Sequence, residues 1–192
     1  LVNSAFFGVR RHVQDAAQAC AALGMGTIKP LALSLCAFSP FEESTVKQFS
    51  IDSLWNHCAF VGVCAKKIAI AENADPLLID DASIGGMLHD VGKLAFASML
   101  PEDYANVLTL AQEEGIGCME AEMQVIGATH AEFGAYLLGL WGFDESIMQA
   151  VAFHHDPKAH PCLEFSAVTA VHAANVISHE CMPNTSTAAT PQ

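Results

Sequence analysis

Along almost the whole chain, apolar residues return at the three-and-four spacing of an amphipathic helix, and no stretch alternates apolar with polar residues as a half-buried strand does. That property restricts the chain to helix packed on helix, an all-α fold. The longest unbroken pattern spans residues 44–71, where Leu54, Cys58, Val61, Ala65 and Ile68 line one face and Ser44 or Thr45 serves as the cap. A helix is predicted over 13–23, closed by Gly24 and Gly26, and another over 28–38 with Pro30 in its first turn. A continuous helix is predicted from Pro76 toward Met99, with Asp80 and Asp81 near its positive end. Further helices are expected over 103–114, 119–126, 129–140, 144–155 and 164–179.

Composition decides how much core these helices can bury and what they meet. Apolar residues are 52% of the 192, and mean hydropathy is +0.33, ample for a large core. The exception is 182–192 (MPNTSTAATPQ), small, polar and proline-bearing, which reads as a flexible tail or linker. A net charge of −13 with eight Lys plus Arg leaves no basic footprint for nucleic acid and disfavours anionic membranes. The apolar run at 31–38 is stopped by Pro30 and Pro40, too short for a membrane span. Seven cysteines, none in a CxxC pair, read as reduced thiols of a cytoplasmic protein, Cys58 and Cys64 buried. No signal pattern opens the chain, and a start at Leu1 without Met suggests a piece of a longer product.

Nine histidines are the chemical anomaly. His57 falls beside the buried stripe of its helix, His130 beside the apolar side of Phe133 and Leu137, and His154 and His155 end a helix carrying Ile147, Val151 and Phe153. One histidine beside an apolar face is ordinarily a hydrogen-bonded core residue. Several, together with the adjacent His89 and Asp90, point to convergence on a metal. Imidazole nitrogens and a carboxylate oxygen suit Zn, Fe or Mn, and bundled helices can aim them inward. Bland readings are assigned elsewhere: Trp55 and Trp141 as packing anchors, Glu42–Glu43 and Glu113–Glu114 as solvated faces, and His12, His160 and His179 as exposed residues without a role.

The sharpest segment is GGMLHDVGKLAF, containing His89, Asp90 and Lys93, with His57 on the preceding long helix. It resembles the HD superfamily of metal-dependent phosphohydrolases. Within that superfamily, the blocks LVNSAFFG, SLWNHCAFVGVCAKKIA, THAEFGAYLLGLWGF and AVAFHHDP resemble the HDOD family, the HD-related output domains of bacterial signalling proteins. The resemblance implies a helical bundle with an N-terminal helical lobe: residues 1–40 form the lobe, truncated at its start, and 41–181 the HD-like core. By similarity to the related HD-GYP phosphodiesterases, it implies metal ligands at His57, His89, Asp90, His130, His154 and His155. Lys93 would then lie near a phosphate, and Lys93 and Asp90 would be catalytic if the chain is an enzyme.

Two departures weaken the enzymatic implication. The last-helix aspartate of active HD enzymes aligns with Asn175, a neutral amide, with His172 one turn before it as an alternative ligand. The Gly-Tyr-Pro signature is missing after the paired histidines, where the chain reads HHDPKAHPCLEF. The favoured expectation is a bacterial, cytoplasmic regulatory module acting through a signalling partner, an upstream domain or a small phosphorylated ligand. The alternatives are a metal-dependent phosphohydrolase acting on a nucleotide or other phosphate ester, and a purely structural histidine core.

Overall fold

The computed structural model describes residues 46–161 and 164–181, together with Gln18 and Ala21, which are helical. The remainder of the expected helices at 13–23 and 28–38, the LVNSAFFG block, Ser44, Thr45, His12 and the 182–192 tail lie outside the described residues. Among the described residues all regular structure is helical: α1 (Ile51–Ala71), α2 (Pro76–Leu88), α3 (Val91–Met99), α4 (Pro101–Glu114), α5 (Cys118–Val125), α6 (His130–Leu140), α7 (Glu145–Phe153), a short 3-10 turn (Pro157–Ala159) and α8 (Ala167–Cys181).

Local chemistry explains most boundaries, and it corrects three of the sequence expectations. α1 begins at Ile51, not near Ser44, because the Ser50 hydroxyl accepts from the Ser53 N–H at 3.2 Å. α2 is opened by Asp75, whose carboxylate accepts from the Leu77 and Leu78 N–H groups at 2.9 and 3.1 Å, with Pro76 in the first turn. Asp80 and Asp81 therefore lie inside α2, and Asp81 is buried. The expected continuous helix breaks between His89 and Asp90, so that α2 and α3 are separate rods. α6 starts with a reciprocal capping box between Thr129 and Glu132. Gly115, at φ 63°, ends α4 in the left-handed conformation that glycine adopts without strain.

The core has two main parts. Leu54, Leu88, Leu94, Phe96, Tyr104, Val107, Leu138 and Val151 belong to a cluster of large side chains. A second cluster is small-residue packing: Val61, Ala65, Ala69, Ala82, Ala150, Ala170, Val171 and Ala174 let α8 lie close against α1 and α2. Trp55 packs against the larger cluster, whereas Trp141 is 41% exposed.

Two glycine contacts bring the site together. A Cβ on Gly86 would sit 2.8 Å from the Gly62 Cα, so α1 and α2 touch backbone to backbone just beyond His57 and His89. A Cβ on Gly92 would collide with the His130 carbonyl oxygen, so the start of α3 rests on the start of α6. The glycine of the His89-Asp90-Val91-Gly92-Lys93 segment is there for this approach.

Candidate metal centre

His57 is buried on α1, and its Nε2 lies 3.1 Å from His89 Nε2. Its Nδ1 meets the Ser178 hydroxyl of α8 at 3.0 Å. His89, at the end of α2, donates its Nδ1–H to the Gly86 carbonyl at 2.8 Å, which turns the Nε2 lone pair inward. Asp90 stands at the head of α3 in the position of a cap but makes no capping bond. Its carboxylate is directed into the cluster instead.

Asp90 divides the cluster. Its Oδ2 lies 3.4 Å from His89 Nε2, 3.7 Å from His57 Nε2 and 2.8 Å from the Lys93 ammonium. Its Oδ1 lies 3.3 Å from His130 Nε2 and 3.7 Å from His154 Nε2. Two groups of potential ligands result, His57–His89–Asp90 and Asp90–His130–His154–His155, with the ligand atoms of each within 4.8 Å of one another. His155 stands at the solvent edge, its Nε2 3.0 Å from His130 Nε2.

Hydrogen bonds behind the cluster fix the rings. His154 donates Nδ1–H to the Val151 carbonyl at 2.7 Å. His130 donates Nδ1–H to Glu122 at 2.7 Å, and its backbone N–H reaches the same carboxylate at 2.8 Å. His172 donates its Nδ1–H to the His154 carbonyl at 2.7 Å, so it braces the loop that carries the ligands. Asn175 is buried on α8, and its Oδ1 has no hydrogen-bond partner.

Electrostatics follow this layout. Burial, only partly opposed by Asp90, pushes His57 down to about 4 and His89 to about 3, so both are neutral imidazoles suited to metal ligation. Burial lowers His154 as well. Burial and Lys93 would also lower His130, but the Glu122 and Asp90 carboxylates together lift that ring above its ordinary value. Burial works against the Asp90 carboxylate, yet His89 and Lys93 hold it well below the usual range. Lys93 is raised despite its burial because of Asp90.

The residues fit a divalent transition metal. Asp90 Oδ1 and His154 Nε2 are buried acceptors with no hydrogen-bond partner, and they face each other within a set of imidazoles. Such a pair calls for a cation. The candidate donors lie in two sets that share Asp90, one with His57 and His89 and one with His130, His154 and His155.

The HDOD domain profile matches residues 1–157. The chain belongs to the HDOD family. An uncharacterised protein of Treponema pallidum (strain Nichols) is 30% identical over 156 residues, which cover 81% of this chain and 30% of that protein. An HDOD domain protein of unknown function from Geobacter sulfurreducens superposes with a TM-score of 0.84 at 25% identity, covering 100% of this chain and 63% of that one. A candidate phosphohydrolase from Shewanella amazonensis gives 0.73 at 22% identity, covering 88% and 61%. A candidate signal transduction protein from Marinobacter aquaeolei gives 0.74 at 17% identity, covering 100% and 42%. The last two share the fold. The HDOD chain spans less than two thirds of each of these relatives.

Sequence reasoning missed three residues of this HDOD site. Glu122 is completely buried behind His130, Ser178 is buried against His57, and His179 sets its ring 5.3 Å from that of His57. None of the three stood out in the sequence: Glu122, for one, is flanked by Glu120 and Gln124 on the same short helix. Two bland assignments also change: His160 is buried, its Nε2 3.1 Å from the Gln149 amide oxygen, and His179 is half-buried.

Proposed function

We propose that this HDOD chain is a regulatory or output module of bacterial signal transduction, working in the cytoplasm, whose His/Asp cluster holds a divalent transition metal. The module acts by binding a partner protein, another domain of the same polypeptide or a small phosphorylated ligand. The observation that carries this reading is the pairing of a ready ligand set, marked by unpartnered Asp90 Oδ1 and His154 Nε2, with a neutral amide at Asn175. The cluster suits a cation, yet it lacks one of the carboxylates that hydrolytic use of an HD site implies. No helix among the described residues is long and apolar enough to cross a membrane, which agrees with this assignment.

A phosphohydrolase reading has one observation in its favour. Lys93 holds an ammonium 2.8 Å from Asp90 at the cluster, where it would neutralise charge growing on a phosphoryl oxygen. A bound divalent ion would supply Lewis acidity and lower the pKa of water. Purified protein assayed for bound metal and for turnover of nucleotides, cyclic dinucleotides and simple phosphate esters separates the two. Bound Fe, Mn or Zn without turnover is expected. Metal-dependent hydrolysis abolished by Asp90→Ala would replace the signalling reading with the enzymatic one.

A further inference from the structure

The two halves of the cluster are not equivalent, and the difference lies in which lone pairs already have donors. On the His57 side every ring nitrogen has a partner without any ion. His89 gives Nδ1–H to Gly86, and His57 can accept the Ser178 hydroxyl proton at Nδ1 and donate Nε2–H to His89 Nε2. The Asp90 oxygen on that side, Oδ2, already receives the Lys93 ammonium at 2.8 Å. The additional oxygen there, Asn175 Oδ1, also lacks a hydrogen-bond partner, but it is a neutral amide and a weak ligand beside a carboxylate.

The other side is left with acceptors. His130 and His154 have committed their Nδ1–H groups to Glu122 and Val151, so their Nε2 atoms present lone pairs when the rings are neutral. Asp90 Oδ1 faces both at 3.3 and 3.7 Å, and neither Oδ1 nor His154 Nε2 has a hydrogen-bond partner. His155 adds the third nitrogen, and the fourth donor, at the rim, where its Nε2 lies 3.0 Å from His130 Nε2. Three imidazoles and one carboxylate make a complete donor set for a borderline cation such as Zn(II), Fe(II) or Co(II), and a poor one for Mg(II).

We infer that the chain binds one transition-metal ion, held by Asp90, His130, His154 and His155, and that Lys93 and Asn175 keep the His57–His89 side metal-free. This rests on the metal reading above and sharpens it: a mononuclear centre lacks the paired-ion clamp that holds both oxygens of a phosphoryl displacement. The Lys93 ammonium stands in for the second ion, and Asn175 withholds the carboxylate that would outbid it.

The test is metal stoichiometry on the full chain. Chelator-stripped protein is titrated with Co(II) at pH 7.5, followed by visible absorption and by elemental analysis of the desalted complex, with circular dichroism as a check of folding. One equivalent is expected. His57→Gln should retain that equivalent with affinity changed by less than about tenfold, whereas His154→Gln should weaken it by about 100-fold or more. The double variant Lys93→Met/Asn175→Asp should take up a second equivalent. Two equivalents in the wild type, loss of binding in folded His57→Gln, or a double variant still limited to one would overturn the inference while leaving a metal-binding HDOD domain in place. A folded wild type that binds no Co(II) would remove the metal reading together with it.

Discussion

Glu122 is completely buried, and a carboxylate taken out of water is costly unless donors surround it. It has three: the His130 backbone N–H, the His130 ring and, at 3.3 Å, the Cys118 thiol. That arrangement orients His130 as a ligand and fixes which nitrogen is presented. Glu122→Gln keeps the shape but removes the charge, so metal affinity should fall about 10–100-fold in a Co(II) titration while the fold survives. Unchanged affinity would mean that Glu122 serves packing alone. Acid sensitivity also belongs to single residues. His57 and His89, at about 4 and about 3 against an ordinary 6.5, stay neutral in the folded chain while the unfolded chain takes up protons. Their contribution is therefore full above pH 6.5 and is lost as pH falls toward 4 and 3, at about 1.4 kcal/mol per pH unit for each ring. His130, lifted by Glu122 and Asp90, runs the other way: its contribution is present below 6.5 and fades as pH rises through its folded value. His154, His155 and His179 are lowered by burial as well, so the lowered rings outnumber His130 and stability is lost on balance between pH 6.5 and 5, readable as urea midpoints of the chelator-treated chain. A midpoint that rises on acidification would contradict the buried, neutral assignment.

Helices meet at this site because small residues let them, and here substitution effects should separate sharply. Gly92→Ala would drive a methyl group into the His130 carbonyl, so loss of about 2 kcal/mol or more is expected, together with weaker metal binding. Gly115→Ala, in open space but at φ 63°, should cost about 1 kcal/mol and leave metal binding untouched. Thermal melts and metal titrations of the two variants check both halves of that contrast. The same elements show what could be read from the sequence. The helical class, the six candidate ligands and the departure at Asn175 all follow from residue types at helical spacing or from a resemblance to known motifs. The break between α2 and α3 did not, because the apolar pattern of IGGML and VGKLAF continues through it and only the commitment of the Asp90 carboxylate to the cluster reveals it. Glu122, Ser178 and the bracing role of His172 were hidden for a related reason. Each acts across a distance in sequence, and periodicity reports only the face on which a residue lies, not the partner waiting there.

For the molecule as a whole, an ion held by Asp90, His130, His154 and His155 would tie α3, α6 and the loop after α7 together. Binding to the folded state alone raises stability by RT ln(1 + [L]/Kd), about 2.7 kcal/mol at a hundredfold excess over Kd. Stripping with chelator should therefore lower the melting temperature of the wild type and have little effect on Asp90→Ala; equal melting of treated and untreated wild type, each verified for metal content, would exclude a stabilising ion. The two halves of the cluster also differ in where their parts lie along the polypeptide. Asp90, His130, His154 and His155 fall in one stretch that ends just after α7, whereas His57 leans on Ser178, 121 residues further along. Long-range pairings form late because their loops must close first. A growing chain that has emerged only through His155 already carries every candidate ligand of the first half. The second must await α8, so the order of synthesis separates the moment the ion can be taken up from the moment its surroundings are sealed.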